Sequence, residues 1–93
     1  MSGGQSLQRQ VDALRELNAY LQRINGEMSN MVRGYADKIQ NLPDSGMTME
    51  FHDEFMREFK TPFQNLVSQS IVLNEQAMQY VGRKMQALEQ ALY

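Results

Sequence analysis

The sequence lacks several residue types that define whole classes of protein. It has no cysteine and no tryptophan, and it has one histidine and two prolines in 93 residues. Without cysteine the chain can form neither a disulfide framework nor a thiolate metal site. The net charge is −2, and the nine basic residues are scattered among eleven acidic ones. Because a phosphate backbone is bound by clustered Lys and Arg, we expect no nucleic-acid partner.

Long apolar runs are absent from the sequence as well. No run approaches the roughly 18 residues of a membrane span, and the polar helix faces are not rich in Lys or Arg. We therefore expect no membrane insertion and disfavour binding to an anionic membrane surface. Residues 1–6 are polar and glycine-rich, without a basic region followed by an apolar core. This pattern predicts no cleaved signal peptide and a protein that is cytoplasmic at synthesis.

The residues that are plentiful favour helices. The chain contains eleven glutamines and eight methionines, which are good helix formers. In its first half the apolar residues recur at alternating steps of three and four, as on one face of a helix. This spacing predicts a first helix over about residues 6–41. The residues that carry the pattern are Leu7, Val11, Leu14, Leu17, Leu21, Ile24, Met28, Met31, Tyr35, Ile39 and Leu42.

The middle of the sequence, NLPDSGMTMEF, contains the longest stretch without a helical pattern. Pro43 cannot continue a helical hydrogen-bond ladder, and Asp44 and Gly46 are typical turn residues. Thr48 is suited to cap a following helix, because its hydroxyl can accept a hydrogen bond from a free backbone N–H. We predict a turn over about residues 42–48 that reverses the chain.

A second helix is predicted over about residues 49–92, and it contains Pro62. Inside a helix, proline removes one hydrogen bond and clashes with a carbonyl of the preceding turn. Thr61, Pro62 and Gln64 also fit the start of a new helix, as cap, first residue and capping-box glutamine. The sequence therefore predicts a kink near Pro62. The alternative is a true break, which would allow a three-helix bundle in one chain.

Two rows of apolar residues run along the predicted second helix. The first row is Phe51, Phe55, Phe59, Phe63, Leu66, Leu73, Ala77 and Tyr80, and the second row is Val67, Ile71, Met78, Val81, Met85, Leu88 and Leu92. Together they are wider than the one stripe that a two-helix hairpin buries, which predicts a partner. We expect one all-α domain, an antiparallel helical hairpin that dimerises into a four-helix bundle. The predicted partner interface comprises Phe55, Phe59, Leu66, Val67, Ile71, Met78, Val81, Met85 and Leu88.

Residues that carry chemistry are few. His52 is the only histidine, and neighbouring carboxylates such as Asp53 point to different sides of the helix. No nucleophile motif is present, and the glycines form no phosphate-binding loop. We therefore predict no catalytic residue, no metal site and no cofactor, which makes an enzyme the least favoured reading.

A chain of this length, with two long helices, a central turn and an over-wide apolar face, resembles the WXG-type (early-secreted-antigen-like) helical hairpins of type VII secretion systems. The resemblance covers the whole chain and is architectural. Asp44-Ser45-Gly46 stands where the family carries Trp-x-Gly, so the glycine is present and the tryptophan is missing. Tyr80-Val81-Gly82-Arg83-Lys84 stands where the family carries a Tyr-x-x-x-Asp/Glu export signal, and here it ends in lysine.

This resemblance implies a homodimer or a heterodimer with a related helical protein. It further implies a partner or adaptor that escorts a larger exported protein, with export that needs no cleaved signal peptide. The needle subunits of type III secretion are a second, weaker resemblance, because residues 43–46 lack the second proline of their turn. The alternative function is a structural or assembly subunit that polymerises through the same apolar face.

Overall fold

The chain is an all-α helical hairpin, as the sequence predicts. We describe it from a computed structural model, which covers residues 2–42 and 46–92, and this part of the chain contains no strand. Dimerisation into a four-helix bundle stays a prediction. The elements in chain order are α1 (Ser2–Gln40), α2 (Met49–Phe55), a π-helical turn (Met56–Lys60) and α3 (Thr61–Leu92).

The connection between the two arms is tied by a backbone hydrogen bond. The Met47 N–H donates to the Leu42 carbonyl at 3.3 Å. Gly46 has a φ of 100°, in the left-handed region that favours glycine because a Cβ is disfavoured there. This agrees with its predicted place in the turn. The other two predicted turn residues, Pro43 and Asp44, lie outside the described part of the chain.

Thr48 caps the start of α2, as predicted. Its backbone is extended, with φ −76° and ψ 153°, and its hydroxyl accepts a hydrogen bond from the Phe51 N–H at 3.2 Å. Glu50 in the first turn faces the positive end of the helix dipole. The second arm therefore begins where its first free N–H groups find acceptors.

Removing this cap has a predictable cost. We expect Thr48→Ala to lower the free energy of unfolding by about 1 kcal/mol, because one N–H of the first turn loses its acceptor. Urea denaturation followed by circular dichroism measures the change. Thr48→Ser keeps the hydroxyl and should stay close to the parent chain, so an equal loss in both variants would contradict the capping role.

The helix passes Pro62 by means of the π-helical turn. The Thr61 N–H donates to the Met56 carbonyl, five residues back instead of four. A wider turn makes room for the proline ring, which would otherwise clash with the carbonyl four residues before it. Thr61 keeps right-handed helical dihedral angles, φ −63° and ψ −46°. The second arm is therefore irregular near Pro62 but unbroken, and the three-helix alternative is wrong.

The chain divides into two compact units, and the first consists of Met1–Asn25 with Val72–Tyr93. Three hydrogen bonds join its two helices. Arg15 donates to Glu89 at 3.5 Å, the Asn18 amide donates to the Met78 carbonyl at 3.4 Å, and the Asn74 amide donates to Asn25 Oδ1 at 3.1 Å. Residue numbers rise along α1 as they fall along α3, so the helices are antiparallel. Val11 and Val81 are buried between them.

The second unit, Gly26–Ile71, contains the turn. Ile39 and Val67 are buried in it. Tyr35 of α1 stacks on Phe63 of α3, with ring centroids 5.1 Å apart and planes 20° apart. Such ring pairs contribute roughly 0.5–1.5 kcal/mol beyond the area they bury. That the two units form a single domain stays a prediction.

Candidate protein-binding site

The structure separates the two apolar rows of the second arm, and the second row faces inward. Val67 is 7% exposed and Val81 is 6% exposed, each within its own unit. The remaining members of the predicted interface in this row are half-buried: Ile71, Met78, Met85 and Leu88. These side chains are covered by the chain itself and offer little surface to a partner.

Four members of the first row are more than half exposed. Phe59 and Leu66 in the second unit are 60% and 62% exposed, and Leu73 and Tyr80 in the first unit are 65% and 56% exposed. Leu73 and Tyr80 are seven residues apart in α3, close to two helical turns, so they lie on one helix face within the first unit. Phe59 and Leu66 were predicted as interface residues. Leu73 and Tyr80 were missed, and their spacing of seven was the signal that could have identified them.

The first unit has one polar and one apolar side. Arg15 and Glu89 bridge its helices with largely exposed side chains, which marks the polar side. At about 100° per residue, Leu17 lies about 200° around α1 from Arg15, and Tyr80 lies about 180° around α3 from Glu89. Leu17 is also exposed. We call Leu17, Leu73 and Tyr80 the apolar face of the first unit.

The second unit carries a ladder of aromatic rings. Phe55 lies 5.9 Å from Phe51, 5.2 Å from Phe59 and 6.1 Å from Tyr35, measured between ring centroids. A step of four residues drifts by about 40° on a regular α-helix. The π-helical turn holds more residues per turn and works against that drift. Phe51, Phe55 and Phe59 therefore stay in contact along the helix. Phe55 is half-buried, whereas Phe51 and Phe59 are exposed.

An open apolar cleft of about 450 Å³ lies beside this ladder. Its floor and walls come from Met31, Gly34, Tyr35 and Phe63, and Lys38 is the charged residue of its lining. A Cβ added to Gly34 would meet no atom within 4 Å, so packing inside the chain does not require glycine there. We call this the Lys38 cleft.

A second, smaller cleft lies within the ladder itself. It has a volume of about 180 Å³ and is lined by Phe51, Phe55 and Phe59, with Glu54 as the charged residue of its lining. Phe51 and Phe59 are exposed. We call this the Glu54 cleft. The Lys38 cleft and the Glu54 cleft each have one charged residue in their lining, and the two charges are opposite.

The histidine of the second arm contacts a neighbouring carboxylate. The Nδ1 atom of His52 lies 3.1 Å from a carboxylate oxygen of Asp53. Across residues 2–42 and 46–92, no three His, Cys, Asp or Glu side chains come together as metal ligands would. No helix in the same described ranges combines the length and apolar character of a membrane span. The two clefts and the apolar face of the first unit are the candidate binding features of the described residues.

Comparison with known proteins adds no relative: no protein-family model, curated protein or solved structure matches this chain. The resemblance to WXG-type hairpins is architectural and stays a prediction. The apolar face of the first unit is apolar and partly aromatic, and each of the two clefts of the second unit is apolar with one charged residue. Protein-binding surfaces typically have this composition.

Proposed function

We propose that this chain is a non-enzymatic protein–protein interaction module that binds a second helical hairpin through its exposed apolar surface. One observation carries the proposal: each unit leaves two large apolar side chains of the same row more than half exposed. They are Phe59 and Leu66 in one unit and Leu73 and Tyr80 in the other. Single exposed apolar residues are common, whereas Leu73 and Tyr80, seven residues apart in α3, have the spacing of a helical-bundle seam within the first unit.

The free energy gained by covering these side chains is comparable to the cost of association. Covering a side chain that is already partly buried stabilises a complex by about 1–2 kcal/mol, somewhat less than full burial. Two such residues in one unit, with two comparable residues from the partner, contribute about 4–8 kcal/mol, against the roughly 4–15 kcal/mol that association costs. We expect a discrete complex at micromolar concentration.

The resemblance to WXG-type hairpins extends the proposal to a cellular role. In that role the chain is a partner or adaptor in type VII secretion and forms a four-helix bundle with a copy of itself or with a related protein. Two observations support this extension: the helical-hairpin architecture, and Gly46, whose positive φ stands at the position of the glycine in the family's turn motif.

Sedimentation equilibrium on the purified chain, with circular dichroism on the same sample, tests the proposal. We expect a strongly helical, discrete oligomer. Leu73→Asp should weaken its association at least 100-fold, because several kcal/mol are needed to bury an unpaired carboxylate. The matched control is Val72→Asp. Val72 is also about half exposed, but it lies about 100° around α3 from Leu73.

The possible outcomes separate the proposal from its alternatives. If Leu73→Asp dissociates the oligomer and Val72→Asp does not, the apolar face of the first unit is an interface. A chain that stays monomeric at micromolar concentration and melts cooperatively would remove the basis of the proposal. Growth beyond a discrete dimer or tetramer as concentration rises would favour a polymerising structural subunit instead.

A further inference from the structure

We propose that the second unit binds the second unit of another copy of this chain, with the Glu54 cleft of each copy placed on the Lys38 cleft of the other. This inference rests on the proposed function and names the partner and the contact. It follows from the charges of the two clefts, from their position on one aromatic ladder, and from the space above Gly34.

The charged residues of the two clefts have opposite signs. Among the described residues, neither Lys38 nor Glu54 takes part in an ion pair or a side-chain hydrogen bond. Covering either cleft with an apolar surface alone would bury its charge without a partner, which is unfavourable. A partner that covers the Lys38 cleft should therefore supply a carboxylate, and one that covers the Glu54 cleft should supply a cation.

The same unit supplies both groups, which favours a second copy as the partner. The clefts are joined through the ladder, since Tyr35 lines one, Phe55 lines the other, and their rings are 6.1 Å apart. A two-fold axis near this ring pair would place Lys38 of each copy opposite Glu54 of the other. Contacts that repeat in this reciprocal way are the rule in symmetric dimers.

The shapes of the clefts agree with this arrangement. Phe59 lines the Glu54 cleft and is 60% exposed, so its ring is available to a partner. The Lys38 cleft has the volume for an aromatic ring, and Gly34 leaves its floor open. We infer that Phe59 of one copy enters the Lys38 cleft of the other. Residues 49–60 contain four carboxylates and two basic side chains, a net charge of −2, which adds attraction toward Lys38.

Charge reversal tests this contact with the chain itself. Lys38→Glu and Glu54→Lys should each weaken self-association at least tenfold, because each places two pairs of like charges together. Mixing the two variants should restore association as a heterodimer, since both of its contacts then join Glu to Lys. The double variant Lys38→Glu/Glu54→Lys should also associate like the parent chain. Sedimentation equilibrium gives the constants, and native mass spectrometry identifies the heterodimer.

A glycine pair provides a test that leaves the charges unchanged. Gly34→Leu should fill the floor of the Lys38 cleft and weaken association at least tenfold. Gly26→Leu is the matched control, because Gly26 also lies inside α1 with open space around its Cβ position and does not line either cleft. Both changes replace glycine in a helix interior and should keep the chain helical. Association that survives Gly34→Leu would overturn the docking of Phe59.

The outcomes also distinguish this contact from the proposed function. Restoration in the mixture and in the double variant supports the contact. If the single reversals leave the association constant unchanged, or if mixing restores nothing, the contact is overturned. If Leu73→Asp still dissociates the oligomer that the parent chain forms, the proposed function stands without this contact. A parent chain that remains monomeric overturns the contact and the proposed function together.

Discussion

Val81→Asp should lower the free energy of unfolding by about 3 kcal/mol or more, one of the two largest effects that we expect of a single substitution in this chain. Val81 is 6% exposed in the first unit, and it packs where α3 faces α1. A carboxylate at this position would be buried without a hydrogen-bond donor or a cation. Urea denaturation followed by circular dichroism measures the loss.

Val72→Asp is the matched control for this substitution, because it makes the same change in the same helix at an exposed position. It should change the free energy of unfolding by no more than about 0.5 kcal/mol. Equal losses in the two variants would mean that α3 is oriented differently from the structure described here. Concentration dependence should be recorded for both, since an oligomer gains stability from assembly.

Tyr35→Ala should also be costly, by about 2–4 kcal/mol. The Tyr35 ring lies 5.1 Å from the Phe63 ring and 6.1 Å from the Phe55 ring, so it joins α1 to the second arm on both sides of the π-helical turn. Its removal leaves a gap between two aromatic side chains that cannot close without moving the helices. Thermal unfolding by differential scanning calorimetry reports the loss.

Tyr20→Ala is the control for the aromatic substitution. Tyr20 lies on the same helix and is half exposed, and its ring contacts the Arg23 guanidinium at 5.2 Å. An exposed cation–π contact contributes about 0.5–1 kcal/mol, so the loss should be much smaller than for Tyr35. If Tyr35→Ala is as mild as Tyr20→Ala, the ring stack does not stabilise the second unit.

Local rules were sufficient for the secondary structure. The spacing of apolar residues identifies both helical arms, Thr48 identifies the start of the second arm, and Gly46 marks the turn. Each of these features depends on chemistry within a few residues: capping, backbone freedom and the helical repeat. The start of α1 at Ser2 instead of Ser6 is a difference of one helical turn, where residue preferences are weak.

The response to Pro62 needed the tertiary structure. Sequence rules offer a kink or a break, because they treat the loss of a hydrogen bond locally. The chain passes Pro62 through a π-helical turn and stays unbroken, and the Tyr35 ring contacts Phe55 before this turn and Phe63 after it. These contacts with α1 join residues far apart in sequence, so rules that consider only neighbouring residues do not include them.

The sequence by itself did not decide which apolar residues of the second arm are buried and which are exposed. Its composition determines that both rows are apolar and that one hairpin cannot bury both. Only the tertiary structure shows that Val67 and Val81 are buried. Leu66 and Leu73 of the other row stay exposed, although Phe63 of the same row stacks on Tyr35 of α1. The reason is physical: a helical repeat defines the faces of a helix, and packing over both arms selects the face that is buried. Likewise, only the tertiary structure shows that Lys38 and Glu54, which have opposite charges, each line an apolar cleft.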